Sequence, residues 1–148
     1  MMSGESTRKL KYFMNVAHQT SLLSYAEKLK VGAVAVRDER IICTGYNGTP
    51  PGEDNTCETE HFICDDPYRR VLKTKSDVEH AERNLIYYAA RKGIPLEGSI
   101  LFVTHAPCID CARAILNAGI TEVFYTHDYK TTDGVDYLTR RIRVSRFD

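Results

Sequence analysis

The strongest constraint on how this chain folds is a pair of glycine-terminated helical segments separated by one apolar strand. His80-Ala81-Glu82-Arg83-Asn84-Leu85-Ile86-Tyr87-Tyr88-Ala89-Ala90-Arg91-Lys92 is rich in helix formers and ends at Gly93, a good C-terminal cap. Residues 108–118 follow Pro107 as a further helix and close at Gly119. Between the two, Ser99-Ile100-Leu101-Phe102-Val103-Thr104 reads as a central strand, and Glu122-Val123-Phe124-Tyr125-Thr126 reads as the next one. A short helix near 134–141 and a last strand over 142–147 complete this half.

Upstream, Leu10, Phe13, Met14, Ala17, Leu22 and Tyr25 recur at three- and four-residue spacings, which predicts an amphipathic helix over 8–27. Val31-Gly32-Ala33-Val34-Ala35-Val36 is a short apolar run rich in β-branched residues. It pairs as a hairpin with Arg40-Ile41-Ile42-Cys43-Thr44-Gly45-Tyr46 across a tight turn at Asp38-Glu39. Asn47-Gly48 and Pro50-Pro51-Gly52 stop the second strand. Residues 49–79 show no clear periodicity and predict a long irregular loop, a feature usually functional or mobile. An opening hairpin followed by alternating strands and helices predicts an α/β fold, a three-layer α/β/α sandwich with a mixed five-stranded sheet. At 148 residues the chain is expected to be one domain, 1–148, large enough to fold without a staple.

Lys plus Arg and Asp plus Glu are 20 each, so the formal charge is zero. A protein that works on phosphate backbones usually carries a basic excess, which argues against a nucleic-acid polymer as partner. No apolar run approaches the roughly 18 residues a membrane span needs, and the first residues form no apolar targeting segment. The expectation is a cytoplasmic protein without a membrane partner. In that compartment the five cysteines read as metal ligands or packed thiols rather than disulfides. The sequon Asn47-Gly48-Thr49 is then only a turn.

Cys108 and Cys111 begin the helix after Pro107, and their separation of three puts both sulfurs on one face. A helix N-terminus favours negative charge and so prepares both as thiolates. His80 heads the preceding helical segment with Glu82 two residues later, and at a first turn, where the chain is not yet fully helical, both can face one pocket. One imidazole and two thiolates leave a fourth zinc position open, the mark of a catalytic rather than a structural site. Zinc brings the pKa of bound water from about 15.7 to near 7, and Glu82 is then free to move protons. Alone, Cys-x-x-Cys also suits a redox pair or half a structural zinc knuckle, and His-x-Glu an ordinary helix cap. Together, His80-Ala81-Glu82 followed by Pro107-Cys108-Ile109-Asp110-Cys111 matches the zinc-deaminase signature.

These residues, with Val31-Gly32-Ala33-Val34, resemble the cytidine/deoxycytidylate deaminase superfamily. Gly45-Tyr46-Asn47-Gly48-Thr49-Pro50 narrows the likeness to its deoxycytidylate branch, and the stretch through Asn55-Thr56-Cys57-Glu58 and Leu72-Lys73-Thr74-Lys75 is most similar to phage or viral members. The resemblance implies hydrolytic deamination of dCMP to dUMP and ammonia, supplying dUMP for thymidylate synthesis, in the host cytoplasm if the source is viral. It implies zinc held by His80, Cys108 and Cys111, with Glu82 shuttling protons, and Asn47, Ala81, His105 and Tyr129 as substrate contacts. It also implies a homohexamer activated by dCTP with Mg(2+) and inhibited by dTTP, with Gly48, Tyr88 and Arg91 as effector-site candidates. Asn47 equally suits a left-handed turn, Tyr88 plain packing, and Arg91 a helix C-terminus. A deaminase of dCTP, cytidine or a guanine compound is an alternative, as is a non-catalytic module whose metal is closed by a fourth ligand.

Two departures from the resemblance stand out. Arg83 occupies a place where many relatives have a small or apolar residue. Some phage relatives hold a second, structural zinc, but Ala26 and Val78 stand where two of its ligands would be; Cys57, His61 and Cys64 are substitutes if they share a short helical turn. Lys28, Lys30, Lys75 and Lys130 are candidate cations for a substrate phosphate, and Arg140, Arg141, Arg143 and Arg146 form a basic C-terminal cluster.

Overall fold

The computed structural model describes residues 4–63 and 66–148. In chain order its elements are α1 (Gly4–Ser21), β1 (Gly32–Arg37), β2 (Arg40–Tyr46), β3 (Glu58–Ile63), β4 (Asp66–Thr74), α2 (Ala81–Lys92), β5 (Ile100–His105), α3 (Ile109–Asn117), β6 (Glu122–His127), α4 (Asp133–Thr139) and β7 (Arg143–Arg146). Five strands form one sheet in the order β2-β1-β5-β6-β7. The β2–β1 and β1–β5 pairs are antiparallel, whereas β5–β6 and β6–β7 are parallel. This is the expected mixed sheet. The β1–β2 turn uses Asp38 and Glu39 at φ 54° and 61°, the paired left-handed conformation that matches strand twist in a two-residue hairpin.

Side chains alternate across the sheet and both faces are covered. Ala33, Ala35, Leu101, Val103 and Val123 face a core completed by Leu85 and Ala89 of α2, Ala112 and Ile115 of α3, and Leu138 of α4. Val34, Val36, Phe102 and Phe124 face α1, where Phe13, Met14 and Ala17 close the second core. Phe102 lies between Phe13 and Phe124, with ring centroids 5.4 and 5.1 Å away. Each fully buried Leu, Val or Phe contributes about 1.5–3 kcal/mol, so the three layers are held chiefly by these alternating positions.

Two expectations need correction. The first helix ends at Ser21 rather than continuing to residue 27, which leaves Leu22 64% and Tyr25 63% exposed. Near its end the Thr20 hydroxyl donates to the Val16 carbonyl and the Ser21 hydroxyl to the His18 carbonyl, side-chain bonds that compete with helix continuation. The stretch 49–79 is not irregular throughout, because β3 and β4 pair antiparallel as a separate two-stranded sheet. Its residues on β3 alternate charge and polarity with little apolar content, and Thr59, Glu60, His61 and Phe62 are all exposed, so no hydrophobic period marks it. His61 therefore lies on an extended strand, not a helical turn with Cys57, and Cys64 lies outside the described residues. Cys57 is instead packed with Ala26 and Val78 in a small apolar cluster.

Gly45 on β2 shows how closely α2 approaches the sheet: a Cβ there would stand 2.6 Å from the Ala81 carbonyl oxygen and 2.8 Å from the Leu85 nitrogen. Both are backbone atoms and cannot rotate away. Gly45→Ala is expected to destabilise the fold by about 3 kcal/mol, read as a lower denaturant midpoint with an unchanged slope. A neutral substitution would contradict this packing.

Candidate metal centre and active site

The parallel strands β5 and β6 end at His105 and His127, and the antiparallel neighbours bring Val31 and Asn47 to the same edge. The Ala106 N–H donates to the His127 carbonyl at 2.7 Å, tying the two strand ends together before α3 begins. A cavity of about 380 Å³ opens at this edge, lined among others by Asn47, His80, Glu82, His105, Cys108 and Tyr129. Ligands in α/β sheets gather outside such strand ends because helix N-termini converge there.

Two of those N-termini supply the metal donors. His80 is the N-cap of α2, with extended backbone at φ −69° and ψ 155°, so Glu82 is only the second helical residue and both reach the cavity. Cys108 is the N-cap of α3, and its sulfur accepts from the Cys111 N–H at 3.4 Å. The His80 Nδ1 lies 3.5 Å from Cys108 Sγ and 3.4 Å from Cys111 Sγ. A tetrahedral zinc with ordinary Zn–N and Zn–S bonds has an N···S edge of about 3.6 Å, so the donor set fits that metal. Among the described residues, no fourth His, Cys, Asp or Glu joins this group, and Glu82 stands apart from it.

The electrostatics favour the anion at Cys108 but not at Cys111, where two thiolates were expected, and they raise the Glu82 carboxyl. Cys108 is pushed down to about 3, chiefly by the Cys111 thiol hydrogen-bonded to it, with His80 and the Cys111 N–H adding to the effect against burial. Cys111, buried and donating to Cys108, is held up. His80 is raised by its hydrogen bond to Cys108. Glu82 is 4% exposed, and burial pushes its carboxyl upward although the nearby His80 opposes this. Arg83 forms an ion pair with Glu79 at 3.2 Å, so its charge is accommodated on the helix flank.

The other expected residues divide. Asn47, His105 and Tyr129 line the cavity; Ala81 does not, being fully buried in the core against β2. Asn47 is not left-handed. Its Oδ1 accepts from the Val31 N–H at 2.9 Å and its Nδ2 donates to the Leu29 carbonyl at 2.7 Å, which braces the cavity wall and leaves one amide hydrogen. Thr104 Oγ1 accepts from the Gly32 N–H and lies 2.9 Å from His105 Nδ1. Lys28 and Lys130 line the cavity, whereas Lys30 donates to the Ser24 carbonyl and Lys75 is outside the lining. Gly48 exchanges two backbone hydrogen bonds with Glu79, and Tyr88 and Arg91 are exposed on α2. Sequence reading missed Glu58, a buried carboxylate in the cavity wall that sits in a run of polar residues without a motif.

A model of the cytidine and deoxycytidylate deaminase zinc-binding region matches residues 7–127. The chain is 40% identical to ComE operon protein 2 of Bacillus subtilis, covering 81% of this chain and 60% of that one. It is 32% identical to the deoxycytidylate deaminase of Enterobacteria phage T4, covering 91% and 86% respectively. The crystal structure of dCMP deaminase from cyanophage S-TIM5 in complex with dCMP and dUMP superposes with a TM-score of 0.82 at 35% identity, covering 99% of this chain and all of that one. No helix among the described residues is long and apolar enough to cross a membrane.

The donor set predicts one zinc per chain by elemental analysis, with His80→Ala or Cys111→Ser each lowering occupancy and Glu82→Gln leaving it intact. Zinc affinity should fall on acidification, because protons compete for the ligands. A separate pH effect comes from the imidazoles of His18 and His105, both lowered by burial and by nearby His127. The unfolded chain binds these protons more readily, so their contribution to stability is lost as pH falls below about 6.5. Unfolding midpoints measured between pH 5 and 8 should show this slope in wild type and a shallower one in His18→Gln; equal slopes would refute it.

Proposed function

Because the chain belongs to the cytidine and deoxycytidylate deaminase family, we propose that it is a zinc-dependent hydrolase converting dCMP and water to dUMP and ammonia, and so supplying dUMP for thymidylate synthesis. The observation that carries this reading is a buried carboxyl, Glu82, in the wall of the same cavity as His80 and Cys108. Substrate identity is supported by relatives named deoxycytidylate deaminase and by the similar cyanophage protein bound to dCMP and dUMP.

His80, Cys108 and Cys111 would hold zinc, which when bound supplies Lewis-acid activation of water at neutral pH. Glu82 accepts a proton from the incoming water and delivers it to ring N3, then carries a second to the amino nitrogen leaving C4. A C4–O bond replaces the C4–N bond, and ammonia departs. Burial serves this role, because a carboxyl raised toward neutrality both gives and takes protons. The remaining Nδ2 hydrogen of Asn47 suits a sugar hydroxyl, His105 and Tyr129 flank the ring, and Lys28 and Lys130 supply positive charge for the phosphate.

Regulation belongs to the same reading: dCTP with Mg(2+) activates and dTTP inhibits, through Gly48, Tyr88 and Arg91, in a homohexamer. Exposed Leu22, Leu23, Tyr25, Tyr87 and Tyr88 provide apolar surface that neighbouring subunits would cover.

The test is ammonia release from dCMP, dCTP, cytidine, deoxycytidine and short oligonucleotides, with and without chelator, dCTP and dTTP, alongside light scattering for mass. Expected results are preference for dCMP, loss with chelator, inhibition by dTTP and a hexameric mass. Glu82→Gln should lower kcat by about 100- to 10,000-fold with zinc content unchanged. Turnover retained in that variant removes the proton role. A flat response to both effectors removes the regulatory one.

A further inference from the structure

Residues 22–31, between α1 and β1, contain no helix or strand, yet Ala26, Lys28, Leu29 and Val31 form one wall of the cavity. Backbone N–H groups in such a segment need partners from elsewhere. At Glu27 and Lys28 the partner is one carboxylate. Glu58 Oε2 accepts from the Glu27 N–H at 3.0 Å and from the Lys28 N–H at 3.0 Å, with Oε1 3.2 Å from the Glu27 nitrogen. Glu58 is 8% exposed and starts β3, so the β3–β4 hairpin holds the wall through a water-shielded, charge-assisted contact.

Two other interactions fasten the same segment to the hairpin. Arg70 on β4 pairs with the Glu27 carboxylate and with Glu60, each at 2.8 Å. These groups are exposed and contribute little alone. Beneath them, Ala26 packs against Cys57, the neighbour of Glu58. At the far end of the wall Asn47 holds the backbone of Leu29 and Val31. The wall is thus pinned at 27–28 by Glu58 and at 29–31 by Asn47, with the Lys28 and Leu29 side chains between.

We propose that Glu58 is a positioning residue for substrate affinity, acting through the backbone of Glu27 and Lys28 to fix the cavity wall. This rests on the deaminase reading of the cavity. Glu58 touches neither the metal donors nor Glu82 in its hydrogen bonding, and α2 and α3 are anchored independently in the core. Releasing it therefore weakens binding of ground state and transition state alike, which raises KM and spares kcat.

The test compares wild type with Glu58→Gln and Glu58→Ala. A glutamine carbonyl at the Oε2 position still accepts from both N–H groups, whereas alanine leaves them unpaired. Amide exchange at Glu27 and Lys28 should be about tenfold faster in E58A and nearly unchanged in E58Q. KM for dCMP should rise about tenfold in E58A, with kcat within about twofold and E58Q restoring both. If E58A does not fold, Glu58→Asp, whose carboxylate is withdrawn by one carbon, is read for the same quantities. Unchanged exchange overturns the clamp. Faster exchange with unchanged KM, or a loss confined to kcat, overturns the positioning role. If wild type fails to turn over dCMP while the exchange pattern holds, the proposed reaction fails and the clamp stands.

Discussion

Two helices begin at one edge of the sheet, and the first turns of those helices carry every member of the metal-binding group. The extended conformation at His80 and Cys108 ends each incoming loop so that a nitrogen and two sulfurs meet within hydrogen-bonding distance. The free N–H groups of α3 favour sulfur as an anion, and Cys108 takes one of them directly. The rest of the molecule serves this meeting point: parallel β5 and β6 end beside it, and antiparallel β1 and β2 bring the opposite wall to the same side.

Packing sets how deep the site lies. On the face toward α1 the sheet presents Phe102 and Phe124, while toward α2 it presents Ala33, Ala35 and Gly45. Small residues let α2 settle close to the sheet, and Glu82, on its first turn, sinks with it. A carboxyl in such surroundings is disfavoured as an anion. The same close packing that stabilises the core therefore tunes the group proposed to move protons.

The strongly periodic elements were legible because both sheet faces are covered: Val31-Gly32-Ala33-Val34-Ala35-Val36 and the strand before Pro107 are nearly uninterrupted apolar runs. The β3–β4 hairpin was not, since Thr59, Glu60, His61 and Phe62 project into solvent and no burial pattern forms. Leu22 and Tyr25 continued a helical spacing that the chain abandons: the N–H groups of Leu22, Leu23 and Ser24 close tight turns onto Gln19, Thr20 and Ser21, and those of Glu27 and Lys28 bond Glu58. Asn47 was read as a sugar contact or a left-handed turn; the structure gives it a bracing role in the cavity wall without left-handed backbone.

Sequence alone brought out the candidate donors and acid, since His80 with Glu82 and Cys108 with Cys111 each form a close pair at the start of its own helix. Local spacing suffices where geometry is fixed by one turn of one element. Only the tertiary structure decided what surrounds that chemistry: that Ala81 faces the core, that Lys28 and Lys130 share a cavity, and that Glu58 reaches back thirty residues to Lys28. Those relations arise from how separate elements pack and from which backbone donors lack local partners. No short stretch of sequence encodes either.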